Sequence, residues 1–101
     1  NNNDNNQPEP SYTYRNGTYS SSAYGYDGDV FVEITVENDV ITSIKAHTEE
    51  SDEWYFNSAQ ESVISQILSS QNTDVDAVSG ATYSSKAIME AVQKALNSAK
   101  N

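Results

Sequence analysis

The chain has 101 residues, a single domain's worth, with 5 basic and 15 acidic side chains, a net charge of -10 and no cysteine. Nucleic acid and anionic membrane surfaces are excluded as partners, because both demand clustered Lys and Arg. The missing thiols remove disulfides, thiolate metal sites and Cys nucleophiles, and no apolar run is long enough to span a bilayer.

The chain opens on "NNNDNNQPEP", a polar lead-in with two prolines and no apolar residue. It has nothing to bury, so residues 1–11 are expected to be a disordered linker or tether. With no starting Met and no signal h-region, the sequence reads as a mature or excised piece. Residues 12–101 are expected to form the folded domain.

"GTYSSSAYGYDG", Gly17 to Gly28, reads as a first strand with a bulge at Gly25. "DVFVEITVE", Asp29 to Glu37, alternates with period two: Val30, Val32, Ile34 and Val36 fall on one face and Asp29, Phe31, Glu33, Thr35 and Glu37 on the other. Asn38-Asp39 suits a two-residue hairpin, with "VITSIKAHT" as the returning strand. "EESDEWYFN" reads as an acidic loop carrying three aromatics, and Ser58-Ala59-Gln60-Glu61 as a capping box opening a helix with Val63, Ile64, Ile67 and Leu68 on one face. A second helix carries Ile88, Ala91, Val92, Ala95 and Leu96 at helical spacing. The expected architecture is α+β, an antiparallel β-meander packed against two α-helices.

Chemistry concentrates in "DVDAVSGATYSSKAIMEAV", Asp74 to Val92. Gly80 permits positive φ or close approach to a ligand, Ala81 adds little bulk, and Ser79, Thr82, Ser84 and Ser85 supply hydroxyls ahead of a helix N-terminus. Two readings stay open on these residues alone. Ser84 or Ser85 caps the helix while Gly80 makes the turn, or the cluster seats a phosphate. The absence of a Lys at Walker spacing excludes a P-loop.

"DAVSGATYSSKAI", Asp76 to Ile88, resembles the signature of the small FMN-binding domain family. That family is related to the flavin-carrying C subunit of the sodium-pumping NADH:quinone reductase and the G subunit of the Rnf complex. "NGTYSSSAYGYDGDVFVEITVENDVITSIKAHTEE" is similar to its opening strands, and the resemblance runs from about Tyr12 to Ser98. It implies an electron-carrying FMN module with no substrate turnover of its own. The Thr of Gly-Ala-Thr can hold FMN as a phosphoester, made by a flavin transferase from FAD with Mg²⁺. Carried onto this chain, Thr82 is the acceptor, Ser79, Gly80 and Ala81 form the small-residue loop, and Asp76 is the leading acid read by the transferase. Ser84 and Ser85 are phosphate contacts or caps, and Tyr83 packs on the cofactor or the core. The resemblance also implies redox partner proteins, a monomer, and a place outside the cytoplasmic membrane, tethered as part of a lipoprotein or membrane protein. Two alternatives are a non-covalent FMN subunit or sensor and a flavin-free cell-surface interaction domain.

The chain departs from the family at "HTEESDEWYFN", which has no Pro or Gly and stands where the family often has, after its second strand, a short Gly-rich Glu-Thr-Pro-type turn. The flavin-ring environment is therefore expected to be this chain's own. Trp54, Tyr55 and Phe56 either stack on the ring or staple the following helix. His47, the one histidine, is a flavin contact or a surface position, with no nucleophile placed beside it. Glu49, Glu50, Asp52 and Glu53 lack EF-hand spacing and read as a solvated face. Asn16-Gly17-Thr18 matches a glycosylation sequon by pattern.

Overall fold

The computed structural model describes residues 12–101, so the linker expected at residues 1–11 lies outside the described residues. Three strands, β1 (Gly17–Tyr24), β2 (Asp29–Glu37) and β3 (Val40–Thr48), precede two helices, α1 (Glu53–Ser70) and α2 (Thr82–Ala99). The sheet is antiparallel in the order β1-β2-β3. Both helices cover one face of it, α2 against β1 and β2 and α1 against β3. This is the expected α+β meander with two helices.

Val30, Val32, Ile34 and Val36 are all buried beneath the helices. Each fully buried aliphatic chain contributes about 1.5–3 kcal/mol. Facing them are Val63 and Ile67 of α1 and Ile88, Ala91, Val92 and Ala95 of α2. The four alanines buried on α2, Ala87, Ala91, Ala95 and Ala99, let that helix lie close to the sheet. The opposite face, with Phe31, Glu33, Lys45 and His47, is open, and the Phe31 and His47 rings stack at 4.9 Å.

Asn38 and Asp39 take φ of 52° and 64°, the left-handed pair that a tight hairpin requires. Asp39 does a second job: its carboxylate accepts the N–H groups of Thr13 and Tyr14 at 2.9 and 2.8 Å. Tyr14 in turn forms a bridge to Lys100 just past the end of α2.

Two expectations are corrected. Gly25 is not a bulge: β1 ends at Tyr24, and the Gly25 N–H donates to the Gly28 carbonyl at 2.7 Å, closing a turn. The register shift lies instead where Thr35 and Val36 pair with Ser43 and Ile41, leaving Thr42 unmatched. Helix α1 also starts earlier than the Ser58 capping box. Asp52 is its N-cap, accepting the Trp54 N–H at 3.0 Å, so Ser58 sits inside the helix and the acidic loop is shorter. An Asx cap is worth about 1 kcal/mol, enough to extend a helix by a turn.

Candidate functional site at the start of α2

The segment before α2 folds back on itself. Gln66 of α1 holds the backbone of Asp76, accepting its N–H at 3.2 Å and donating to its carbonyl at 3.0 Å. The Ala81 N–H then closes a turn on the Val78 carbonyl at 2.9 Å, with Gly80 at φ 84°. No atom lies within 4 Å of where a Gly80 Cβ would stand. Glycine is thus demanded by backbone conformation and not by crowding.

Thr82 is the first residue of α2 and is exposed. The N-cap position belongs to Ala81, and no side chain caps the helix. The first helical bond runs from the Ser85 N–H to the Ala81 carbonyl at 2.9 Å. The N–H groups of Thr82, Tyr83 and Ser84 precede it, at the positive end of the helix dipole.

Capping by Ser84 or Ser85 is corrected accordingly. Both lie inside the first turn and both are fully buried. Ser85 Oγ donates to the Ala81 carbonyl at 2.7 Å and accepts the Val78 N–H at 3.0 Å, which stitches the loop to the helix. Ser84 Oγ points the other way, donating to the buried carboxylate of Glu50 at 3.1 Å.

A cleft of about 230 Å³ opens beside Thr82. Gly80 to Ser84 form one side of it, and Tyr26 and Tyr55 the other. The Tyr26 ring lies 4.5 Å from that of Tyr55 and 6.3 Å from that of Tyr83. Trp54 stands edge-on to Tyr55 at 5.2 Å. The three consecutive aromatics of α1 therefore divide their tasks: Phe56 is buried in the core, Tyr55 lines the cleft and Trp54 is exposed beside it. The Tyr55 phenol is held above its ordinary range, first by the charge of neighbouring Tyr26, then by desolvation and by Asp52 and Asp27.

Among the residues singled out in the sequence, Gly80, Ala81, Thr82, Tyr83 and Ser84 meet at this cleft. Ser79 is exposed just before it, and Ser85 is buried behind it. Asp76 is exposed and tied to α1 by its backbone. His47 is not brought to the cleft. It lies on the open face of the sheet, where a wider depression of about 590 Å³ runs over Ser20, Ser22, Phe31 and Lys45. Two contributors had no signal of their own in the sequence. Tyr26 read as a strand residue, and Glu50 as one member of an acidic run.

The family model of the FMN-binding domain matches residues 25–97. The chain belongs to the FMN-binding domain family. An uncharacterized protein of Treponema pallidum (strain Nichols) is 37% identical over 82 residues, 81% of this chain and 23% of that protein. NADH:acrylate oxidoreductase of Vibrio harveyi is 33% identical over 84 residues, 83% of this chain and 8% of that protein. The chain thus spans less than a quarter of either curated relative.

The residues present suit FMN. Free amide N–H groups at a helix start match a phosphate, and a tyrosine-lined wall matches a flat heteroaromatic ring. The match of residues 25–97 takes in both halves of the cleft, from Tyr26 to Ser84.

Proposed function

We propose that this FMN-binding domain carries its flavin covalently on Thr82 and serves as an electron relay. The observation that carries the reading is the exposure of Thr82 at an uncapped helix start, between Gly80 and an aromatic cleft. Bound FMN supplies one- and two-electron redox chemistry; the protein supplies the seat and its electrostatics.

The chain's own part in attachment is a hydroxyl nucleophile. Thr82 Oγ displaces AMP from FAD: the bond between Oγ and the flavin-side phosphorus forms, the pyrophosphate P–O bond breaks, and the hydroxyl proton is lost. No histidine stands at the cleft, since His47 lies on the other face of the sheet. The base and the Mg²⁺ are therefore assigned to a flavin transferase. Small neighbours at Ser79, Gly80 and Ala81 leave Thr82 open to such an enzyme, and exposed Asp76 offers it a charged handle. The N–H groups of Thr82, Tyr83 and Ser84 would hold the phosphate, and Tyr26, Tyr55 and Tyr83 would flank the ring. His47 is left with a place on the surface.

The relatives support a module within a larger redox protein, because the matching segment is 8% of an enzyme named for NADH and acrylate. Its electron donors and acceptors are other redox domains or proteins. We place the domain at the outer face of the cytoplasmic membrane, carried there by an anchor outside residues 12–101. No helix among the described residues is long and apolar enough to cross a membrane. The polar lead-in, with its prolines, suits a tether.

Co-expression with a flavin transferase tests the reading. The expected product is heavier by FMN less one water, yellow after denaturation, and absent in Thr82→Ala. Colour that is lost on denaturation assigns a non-covalent FMN protein. A colourless, unmodified product in the presence of active transferase and FAD overturns the flavin relay.

A further inference from the structure

Glu50 differs from its acidic neighbours. Glu49, Asp52 and Glu53 are exposed, whereas Glu50 is 4% exposed and is the one buried charged side chain among the described residues. Its Oε1 accepts from Thr48 Oγ1 at 2.8 Å and from Ser84 Oγ at 3.2 Å. Its Oε2 accepts from Ser84 Oγ at 3.1 Å and from the Tyr26 N–H. Its own N–H donates to Thr48 Oγ1 at 3.0 Å.

The β1–β2 turn is shaped around this residue. A Cβ on Gly25 would stand 2.7 Å from Glu50 Oε2, and one on Gly28 2.9 Å from Glu50 Cα. Neither glycine has a positive φ; Gly28 is required by the close passage of the Glu49–Glu50 backbone, and Gly25 has the Glu50 carboxylate and a Val30 methyl against it. Burying a carboxylate is costly, and three hydroxyl and amide donors are the compensation it receives here.

Those donors belong to the two sides of the flavin cleft. Ser84 is in the first turn of α2 with Thr82, and Tyr26 carries a ring of the facing wall. We infer that Glu50 is a positioning residue of the flavin site: through Ser84 it sets the first turn of α2, and so Thr82 Oγ, and through the Tyr26 N–H it sets the aromatic wall at the same time. This rests on the attachment proposed above.

The test uses the whole chain as acceptor for a flavin transferase with FAD and Mg²⁺, following covalent flavin by mass while the concentration of the domain is varied. Glu50→Gln keeps the shape and loses the charge, and Ser84→Ala cuts the link to α2. Ile67→Val, far from the cleft in the core, is the control for plain destabilisation. Misplacement of a reacting group by a fraction of an ångström to 1 Å costs about ten- to a hundredfold in rate. The expected result is a drop of that size in kcat for both Glu50→Gln and Ser84→Ala, with cooperative melting retained. The two together should cost no more than the larger single effect, because both break one linkage. The visible circular dichroism of the flavin in the slowly labelled product should change as well, since Tyr26 moves with Glu50. Ile67→Val should keep the wild-type kcat and flavin spectrum.

Wild-type kcat and an unaltered flavin spectrum in Glu50→Gln overturn the inference while leaving covalent attachment intact. If Glu50→Gln does not fold, Ser84→Ala decides by the same criteria. A wild-type chain that takes no flavin overturns the attachment and this inference together.

Discussion

Tyr26 and Tyr55 come from opposite ends of the sheet-to-helix path, yet their rings lie 4.5 Å apart with planes inclined by 37°. The proximity has a pH consequence. The charge of Tyr26 disfavours ionising Tyr55, which with desolvation and the nearby Asp52 and Asp27 is displaced upward from its ordinary value of 10.0. A folded-state pKa above the unfolded one gives stability that is complete below pH 10 and is lost as pH climbs through the raised value. Melting temperature is expected to fall above pH 10, and the Tyr55→Phe variant to lose less of it over that interval. Melting curves of the two proteins between pH 8 and about 11 check this.

Gly25 and Gly80 are expected to resist alanine for different reasons. At Gly25 the new methyl meets the Glu50 carboxylate at 2.7 Å, an overpacking that costs about 1–3 kcal/mol. At Gly80 the space is open but φ is 84°, so the cost is strain, about 1–2 kcal/mol. Asn tolerates that region, and Gly80→Asn should recover part of the loss while Gly25→Asn recovers none. Urea titrations of the four variants separate the two cases.

Much of this fold is legible in the sequence, for reasons that can be named. The β2 alternation survives because one face meets helices and the other meets water. Asn38-Asp39 announces its hairpin through residues that accept positive φ, and the α2 stripe is long enough to fix its period. The start of α1 is not legible, because a well-spaced but unused capping box at Ser58 competes with the true cap at Asp52. In the site, the Gly80–Thr82 loop is local and can be read directly. Glu50 cannot, because its value depends on Tyr26, 24 residues earlier, and on Ser84, 34 residues later. His47 suggests chemistry only until the strand parity assigns it to the open face.

The charge of -10 should be felt at the flavin. Asp27 and Asp52 act on Tyr55 at the cleft wall, so electrons added there meet negative charge. A lowered reduction potential is expected, rising as salt screens the acids beyond about 10 Å at 0.1 M. Redox titration of the flavinated domain at two salt concentrations checks the sign; a potential indifferent to salt refutes the electrostatic contribution.

Gln71 closes the exposed edge of β3. It is the left-handed C-cap of α1, and its side-chain amide accepts the Ile41 N–H at 2.7 Å and donates to the Ile41 carbonyl at 3.1 Å. Gln71→Ala removes both bonds and is expected to cost about 1–2 kcal/mol. Gln71→Gly relieves the left-handed backbone and should cost less. Hydrogen exchange at the Ile41 amide should accelerate in both, which distinguishes loss of the edge clasp from general loosening.

The bridge between Tyr14 and Lys100 has a bearing on reach. It fastens the two ends of the domain side by side at the last turn of α2, while Thr82 stands at the first turn, about 27 Å away along an 18-residue helix. A cofactor carried on Thr82, as proposed above, would stand at the opposite pole of the domain from these ends, held out by the length of a helix and open to approach from solvent.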